Sequence, residues 1–112
     1  MTIDKHPLPR IGLSGTGFIA RSFAHMVMKH APDMRLEKVL TRRSPAALAD
    51  FPTHGSVTSS IDELVEHSDL VFECSGDVIH STVVIERALA AGLPVVTMNS
   101  EFHVTTGSYF AD

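Results

Sequence analysis

Residues 10–20, R-I-G-L-S-G-T-G-F-I-A, constrain the fold more tightly than any other stretch of this 112-residue chain. Ile11 and Leu13 alternate with small residues, as in a buried strand, and run into Gly15-x-Gly17-x-x-Ala20. Behind the glycines, Ile19, Phe23, Met26 and Val27 recur at three- and four-residue spacing and read as the apolar face of a helix. Lys29 and His30 suit its last turn, and Pro32-Asp33 stops it. A strand, a glycine turn and a helix in that order have a physical purpose. Gly15 permits the tight turn, Gly17 lacks a Cβ so that a pyrophosphate can approach the backbone, and Ala20 keeps the helix close to the sheet. The unpaired N–H groups and the positive dipole end of the helix face the phosphates. Gly15, Thr16, Gly17, Phe18 and Ile19 are therefore candidate cofactor-binding residues. A tight strand-to-helix turn without a ligand carries the same glycine pattern, and it is the flanking strand and helix that favour a dinucleotide.

The rest of the chain alternates strand and helix signals with short connections, an α/β pattern without internal repeats. Residues 1–9, with two prolines, form a lead-in tail, and residues 10–112 form one domain. Strands are expected at residues 36–41, 55–58, 69–74 and 94–98. Ser44-Pro45 opens a short helix through Asp50. Ser60 caps a helix over residues 61–67, with Glu63 placed as in a capping box. A strong helix follows over residues 77–91, with Val83, Val84, Ala88 and Leu89 on one face and Gly92 as its stop. Right-handed crossovers then predict a Rossmann-type, doubly wound parallel sheet of order 3-2-1-4-5 in three αβα layers.

Composition narrows the function. The net charge of −4 and the absence of any Lys/Arg run argue against nucleic acid as a partner. No apolar stretch approaches a membrane span, and residues 1–10 lack a secretory h-region, so no membrane partner and a cytoplasmic location are expected. Cys74 is the only cysteine, which excludes an internal disulfide. The seven histidines are scattered without ligand spacing, and no metal is expected.

Ligands in such a sheet lie beyond the carboxyl ends of the strands, where the strand order reverses. The second strand ends in Thr41, Arg42, Arg43 and Ser44, where a site selective for NAD places a carboxylate on the ribose 2′-hydroxyl. Two guanidinium groups stand there instead, and arginine grips phosphate with paired donors. Thr41, Arg42 and Arg43 thus predict NADP, with NAD possible; a pair of solvated loop arginines is the other reading. The fourth strand ends in Cys74, Ser75 and Gly76, small enough for the backbone to close over the nicotinamide ribose. Cys74 reads as a small buried residue or as a nucleophile whose partner comes from elsewhere in the fold. His80, in the next helical turn, approaches the cofactor. After the fifth strand, Asn99 is placed at the cofactor, and Glu101 and His103 have the chemistry for proton transfer, or are solvated loop residues.

Three segments together resemble a known family: I-G-L-S-G-T-G-F-I-A, E-C-S-G at residues 73–76, and A-A-G-L-P-V-V-T-M-N at residues 90–99. They look like the N-terminal NAD(P)-binding domain of homoserine dehydrogenase-like oxidoreductases, over nearly the whole chain. The likeness is nearest to the branch with a C-terminal SAF domain that includes deoxyxylulose-phosphate reductoisomerase-like enzymes, whose M-N-x-E-x-x-V-T-x-G segment is matched by Met98, Asn99, Glu101, Val104, Thr105 and Gly107. The resemblance implies reversible hydride transfer between NAD(P)H and a carbonyl or alcohol of a small-molecule substrate. Homoserine dehydrogenases proper carry Asn-Lys after the fifth strand, whereas Asn99-Ser100 stands here. Sugar dehydrogenases of the Gfo/Idh/MocA type, similar over the first eighty residues, carry Glu-Lys-Pro at that place. A non-catalytic nucleotide- or CoA-binding module shares the fold and the glycine turn. The family's substrate domain follows the sixth strand, and this sequence stops at Asp112. The expectation is therefore a fragment that binds the cofactor, is inactive alone, and belongs to an enzyme that oligomerises through its C-terminal part.

Overall fold

Ile11 and Leu13 project from one face of the first strand and Gly12 and Ser14 from the other, so both faces can be covered by helices. The computed structural model, which describes residues 8–97, has that coverage. β1 (Arg10–Ser14) is the central strand of a five-stranded parallel sheet, with β2 (Arg35–Leu40), β3 (Ser56–Thr58), β4 (Leu70–Glu73) and β5 (Val95–Thr97). The order is β3-β2-β1-β4-β5, the Rossmann-type order expected from the sequence. A register shift between Ile11 and Gly12 lets Leu36 pair with Ile11 and Val39 with Leu13. Leu36 and Val39, three residues apart, therefore pack into the same core cluster.

α1 (Phe18–His30) covers one face, burying Ala20, Ala24 and Val27 against Ile11, Leu13, Leu36 and Val39. The expected apolar face is corrected here: Ile19 and Met26 are exposed. Methyl-sized side chains let the helix close on the sheet, so the alanines set its inner face and the larger residues turn outward. Phe23 straddles the boundary and stacks on Phe72 of β4, with ring centroids 4.1 Å apart.

α2 (Ile61–Glu66) and α3 (Val78–Ala90) cover the opposite face, where Leu40, Leu64, Val71, Val84 and Ala88 form the second core cluster. Gly12 makes room for this layer, since a Cβ there would sit 2.0 Å from Ser68 Oγ. The face of α3 also differs from expectation. Ser81, Val84, Ile85 and Ala88 are buried, and Val83 and Leu89 are exposed. Ser81 Oγ donates to the buried Glu73 carboxylate at 2.7 Å, and that bond draws its face of the helix inward.

Local signals were met in part. The helix expected at Pro45 is a single 3-10 turn, Pro45–Leu48, with no side-chain cap from Ser44. Ser60 Oγ accepts from Glu63 N at 3.1 Å, as a cap should. The reciprocal half of the capping box is absent: Ser60 N donates to Thr58 Oγ1, and the Glu63 carboxylate is taken by Thr58 and Lys38. Gly92, at φ 81°, follows α3 as expected.

Candidate nucleotide site

Parallel strands aim their carboxyl ends at one edge of the sheet, and here that edge bears a cleft of about 190 Å³. It is lined by Gly15, Thr16, Gly17, Leu40, Thr41, Arg42, Arg43, Ser75 and His80. Small-ligand pockets run to roughly 300–1,000 Å³, so this space suits one portion of a dinucleotide rather than the whole.

The two glycines of the first turn have different physical reasons. Gly15 has φ 115°, and a Cβ on it would lie 2.8 Å from the Cys74 carbonyl oxygen, so the fold itself demands glycine there. Gly17 is the residue before α1, at φ −80°, and a Cβ on it would meet nothing within 4 Å. Among the described residues nothing needs Gly17 to be bare and nothing fills the space above it. Among the described residues no side chain caps α1, and its hydrogen bonding begins with Arg21 N donating to Gly17 O, so the N–H groups of Phe18, Ile19 and Ala20 have no intrahelical partner.

The turn is pinned from both sides. Gly15 N donates to Leu40 O at 2.9 Å, and Cys74 N donates to Ser14 O at 2.8 Å. Thr41 is buried, and its hydroxyl accepts from Arg43 N at 3.0 Å and lies 3.4 Å from Thr16 Oγ1. Thr41 thereby shapes the loop that carries the arginines. Arg42 Nη1 reaches Asp77 Oδ2 at 2.9 Å, while the side chain of Arg43 has no partner among the described residues.

Beneath the end of β4, Glu73 is fully buried. Its Oε1 accepts from Ser75 N at 2.9 Å, Ser75 Oγ at 2.8 Å and Ser81 Oγ at 2.7 Å. Three donors on one oxygen fix the course of residues 73–76, although Oε2 of Glu73 and the neighbouring Ser14 Oγ are buried with no hydrogen-bond partner among the described residues. Cys74 packs in the α1 core cluster. Burial, and secondarily the Glu73 carboxylate, push its thiol up to about 12, so it carries no thiolate at neutral pH. The nucleophile reading of Cys74 has no support in this environment.

Of the residues singled out from sequence, Gly15, Thr16, Gly17, Thr41, Arg42, Arg43, Ser75 and His80 come together in the cleft. Phe18, Ile19, Cys74 and Gly76 do not line it. Phe18 is 86% exposed at the start of α1, Ile19 is exposed beside it, Cys74 lies below, and Gly76, at φ 77°, turns the chain toward α3. Asn99, Glu101 and His103 lie outside the described residues. Asp77 is a site residue that was not singled out from sequence. Asp77 Oδ1 accepts from His80 N at 3.0 Å, an N-cap that D-x-x-H ahead of an apolar helix signals; the Arg42 partnership has no local signal. Among the described residues no three His, Cys, Asp or Glu side chains gather to hold a metal, and no helix is long and apolar enough to cross a membrane.

The family described as homoserine dehydrogenase, NAD binding domain, matches residues 15–109. The chain belongs to that family. Among solved structures, a homoserine dehydrogenase from Thiobacillus denitrificans superposes with a TM-score of 0.75 at 21% identity, over 92% of this chain and 26% of that one. The S. aureus homoserine dehydrogenase at pH 6.0 gives a TM-score of 0.75 at 16% identity, over 96% of this chain and 30% of that one. Apo scyllo-inositol dehydrogenase from Lactobacillus casei gives 0.65 at 26% identity, over 80% of this chain and 28% of that one. The chain thus spans under a third of the length of these three structures. No curated protein matches it. Membership of the family makes this a nicotinamide-dinucleotide-binding domain of the homoserine dehydrogenase-like type.

Proposed function

We propose that this domain serves an oxidoreductase that transfers hydride between NADP(H) and a carbonyl or alcohol substrate. The observation that carries the reading is the bare, open Gly17 at the uncapped start of α1, where the backbone N–H groups of residues 18–20 are available to a pyrophosphate. The chemistry of the wall supports NADP: Arg42 and Arg43 stand past β2, where NAD-selective sites carry a carboxylate. The bound nicotinamide supplies or accepts the hydride. On this reading Thr41 orients the arginine loop, the Glu73 network holds Ser75 at the cleft wall, and Asn99, next in sequence after β5, is assigned to the cofactor. Glu101 and His103 are the groups assigned to proton transfer, and the cytoplasm is the assigned location.

The likeness to scyllo-inositol dehydrogenase at 26% identity favours a second reading, the cofactor domain of a sugar dehydrogenase. Hydride-transfer assays of the whole protein with homoserine and with scyllo-inositol separate the two. The domain itself is tested by thermal shift with NADPH, NADH and an acyl-CoA, since a ligand that binds the native state raises Tm. The reading predicts the largest shift with NADPH. A shift with acyl-CoA alone would replace the oxidoreductase with a CoA-binding module.

A further inference from the structure

Arg42, in the cleft lining, reaches Asp77, 35 residues further along the chain and outside that lining. Arg42 follows β2 and lines the cleft, whereas Asp77 precedes α3 on the other side of β1. Their ion pair is 2.9 Å long, with side chains 58% and 37% exposed, so solvent screens it and a competing anion can displace it. The Asp77 carboxylate is held by the Arg42 guanidinium on one oxygen and by the α3 backbone on the other. An approaching phosphate therefore finds its guanidinium already engaged by a carboxylate.

We propose that Asp77 is a specificity-determining residue: its carboxylate holds Arg42 in the cofactor-free domain and is exchanged for the 2′-phosphate when NADP(H) binds. The proposal rests on the reading of Arg42 as a 2′-phosphate ligand. The exchange lowers the apparent affinity for NADP(H) and leaves that for NAD(H) untouched, because a ribose 2′-hydroxyl makes no demand on the guanidinium. Asp77 thus moderates the preference that Arg42 and Arg43 create.

The test is a set of dissociation constants for NADPH and NADH at fixed ionic strength, on the 112-residue chain and its variants. Asp77→Asn and Asp77→Ser each remove the charge and keep an oxygen for the His80 N–H, so α3 retains its cap. Both variants are expected to tighten NADPH about three- to tenfold and to change NADH by less than about twofold, an effect that disappears in the Arg42→Ala background. If Arg42→Ala weakens NADPH selectively while neither Asp77 variant tightens it, the exchange is wrong and the reading of Arg42 stands. If the Asp77 variants tighten NADPH and NADH alike, the exchange is again wrong. If Arg42→Ala binds both ligands as the wild type does, the 2′-phosphate reading falls and the exchange falls with it.

Discussion

The carbonyl oxygen of Cys74 lies 2.8 Å from the position that a Cβ on Gly15 would occupy. Two strand ends that are remote in sequence, the exit of β1 and the exit of β4, are packed backbone to backbone at the point where the site opens. Any side chain at residue 15 must push them apart, and at φ 115° it is strained even without a neighbour. Gly15→Ala is therefore expected to destabilise the domain by roughly 2–4 kcal/mol, read as a fall in the urea midpoint at unchanged m-value.

The rotation of α3 is checked by two neighbouring valines. Val84 is buried in the second core cluster and Val83 is exposed. Val84→Ala is expected to cost roughly 1.5–3 kcal/mol, and Val83→Ala to stay within about 0.5 kcal/mol of the wild type. Equal losses would restore the helix face expected from sequence.

These valines also show where the sequence was legible. Strand alternation, the glycine turn and the short connections are local signals, and they specified the sheet order and most of the cleft lining. Helix faces were harder to read. The inner face of α1 is built from Ala20 and Ala24, which carry little hydrophobic weight beside Ile19 and Met26. The inner face of α3 includes Ser81, whose burial follows from a carboxylate eight residues away on another element. The Arg42–Asp77 contact spans 35 residues and exists only once the strand order has brought the two loops together.

Cys74 provides a chemical test of burial. With its thiol pushed up to about 12 from 9.0, the thiolate fraction at pH 8 falls by about three orders of magnitude relative to the unfolded chain. Alkylation by iodoacetamide is expected to be slower in the native domain than in urea by at least about that factor. Comparable rates would place Cys74 at the surface.

Three carboxylates predict acid sensitivity. Hydrogen bonds and charge from Arg10 hold Asp69 below its usual 3.8. The backbone N–H of His80, and then Arg42, hold Asp77 below 3.8. Thr58, and then Lys38, hold Glu63 below 4.5. The unfolded chain takes up these protons first as pH falls, so the stabilisation is complete above the usual values and is lost as pH drops through the depressed ones. The urea midpoint is expected to decline below about pH 4.5, and Asp69→Asn to flatten that decline. A decline of the same steepness in the variant would remove Asp69 from the account.

NADPH binding to Gly17→Ala tests whether the backbone at Gly17, unobstructed among the described residues, receives the pyrophosphate. At φ −80°, with nothing among the described residues within 4 Å of the added methyl, the variant is expected to stay folded, its urea midpoint lowered by no more than the modest cost of Ala at a helix N-cap. Its affinity for NADPH, measured by fluorescence titration, is expected to fall by about tenfold or more, because the methyl occupies the approach of the pyrophosphate to the backbone. A folded Gly17→Ala domain that binds NADPH as tightly as the wild type would contradict the account.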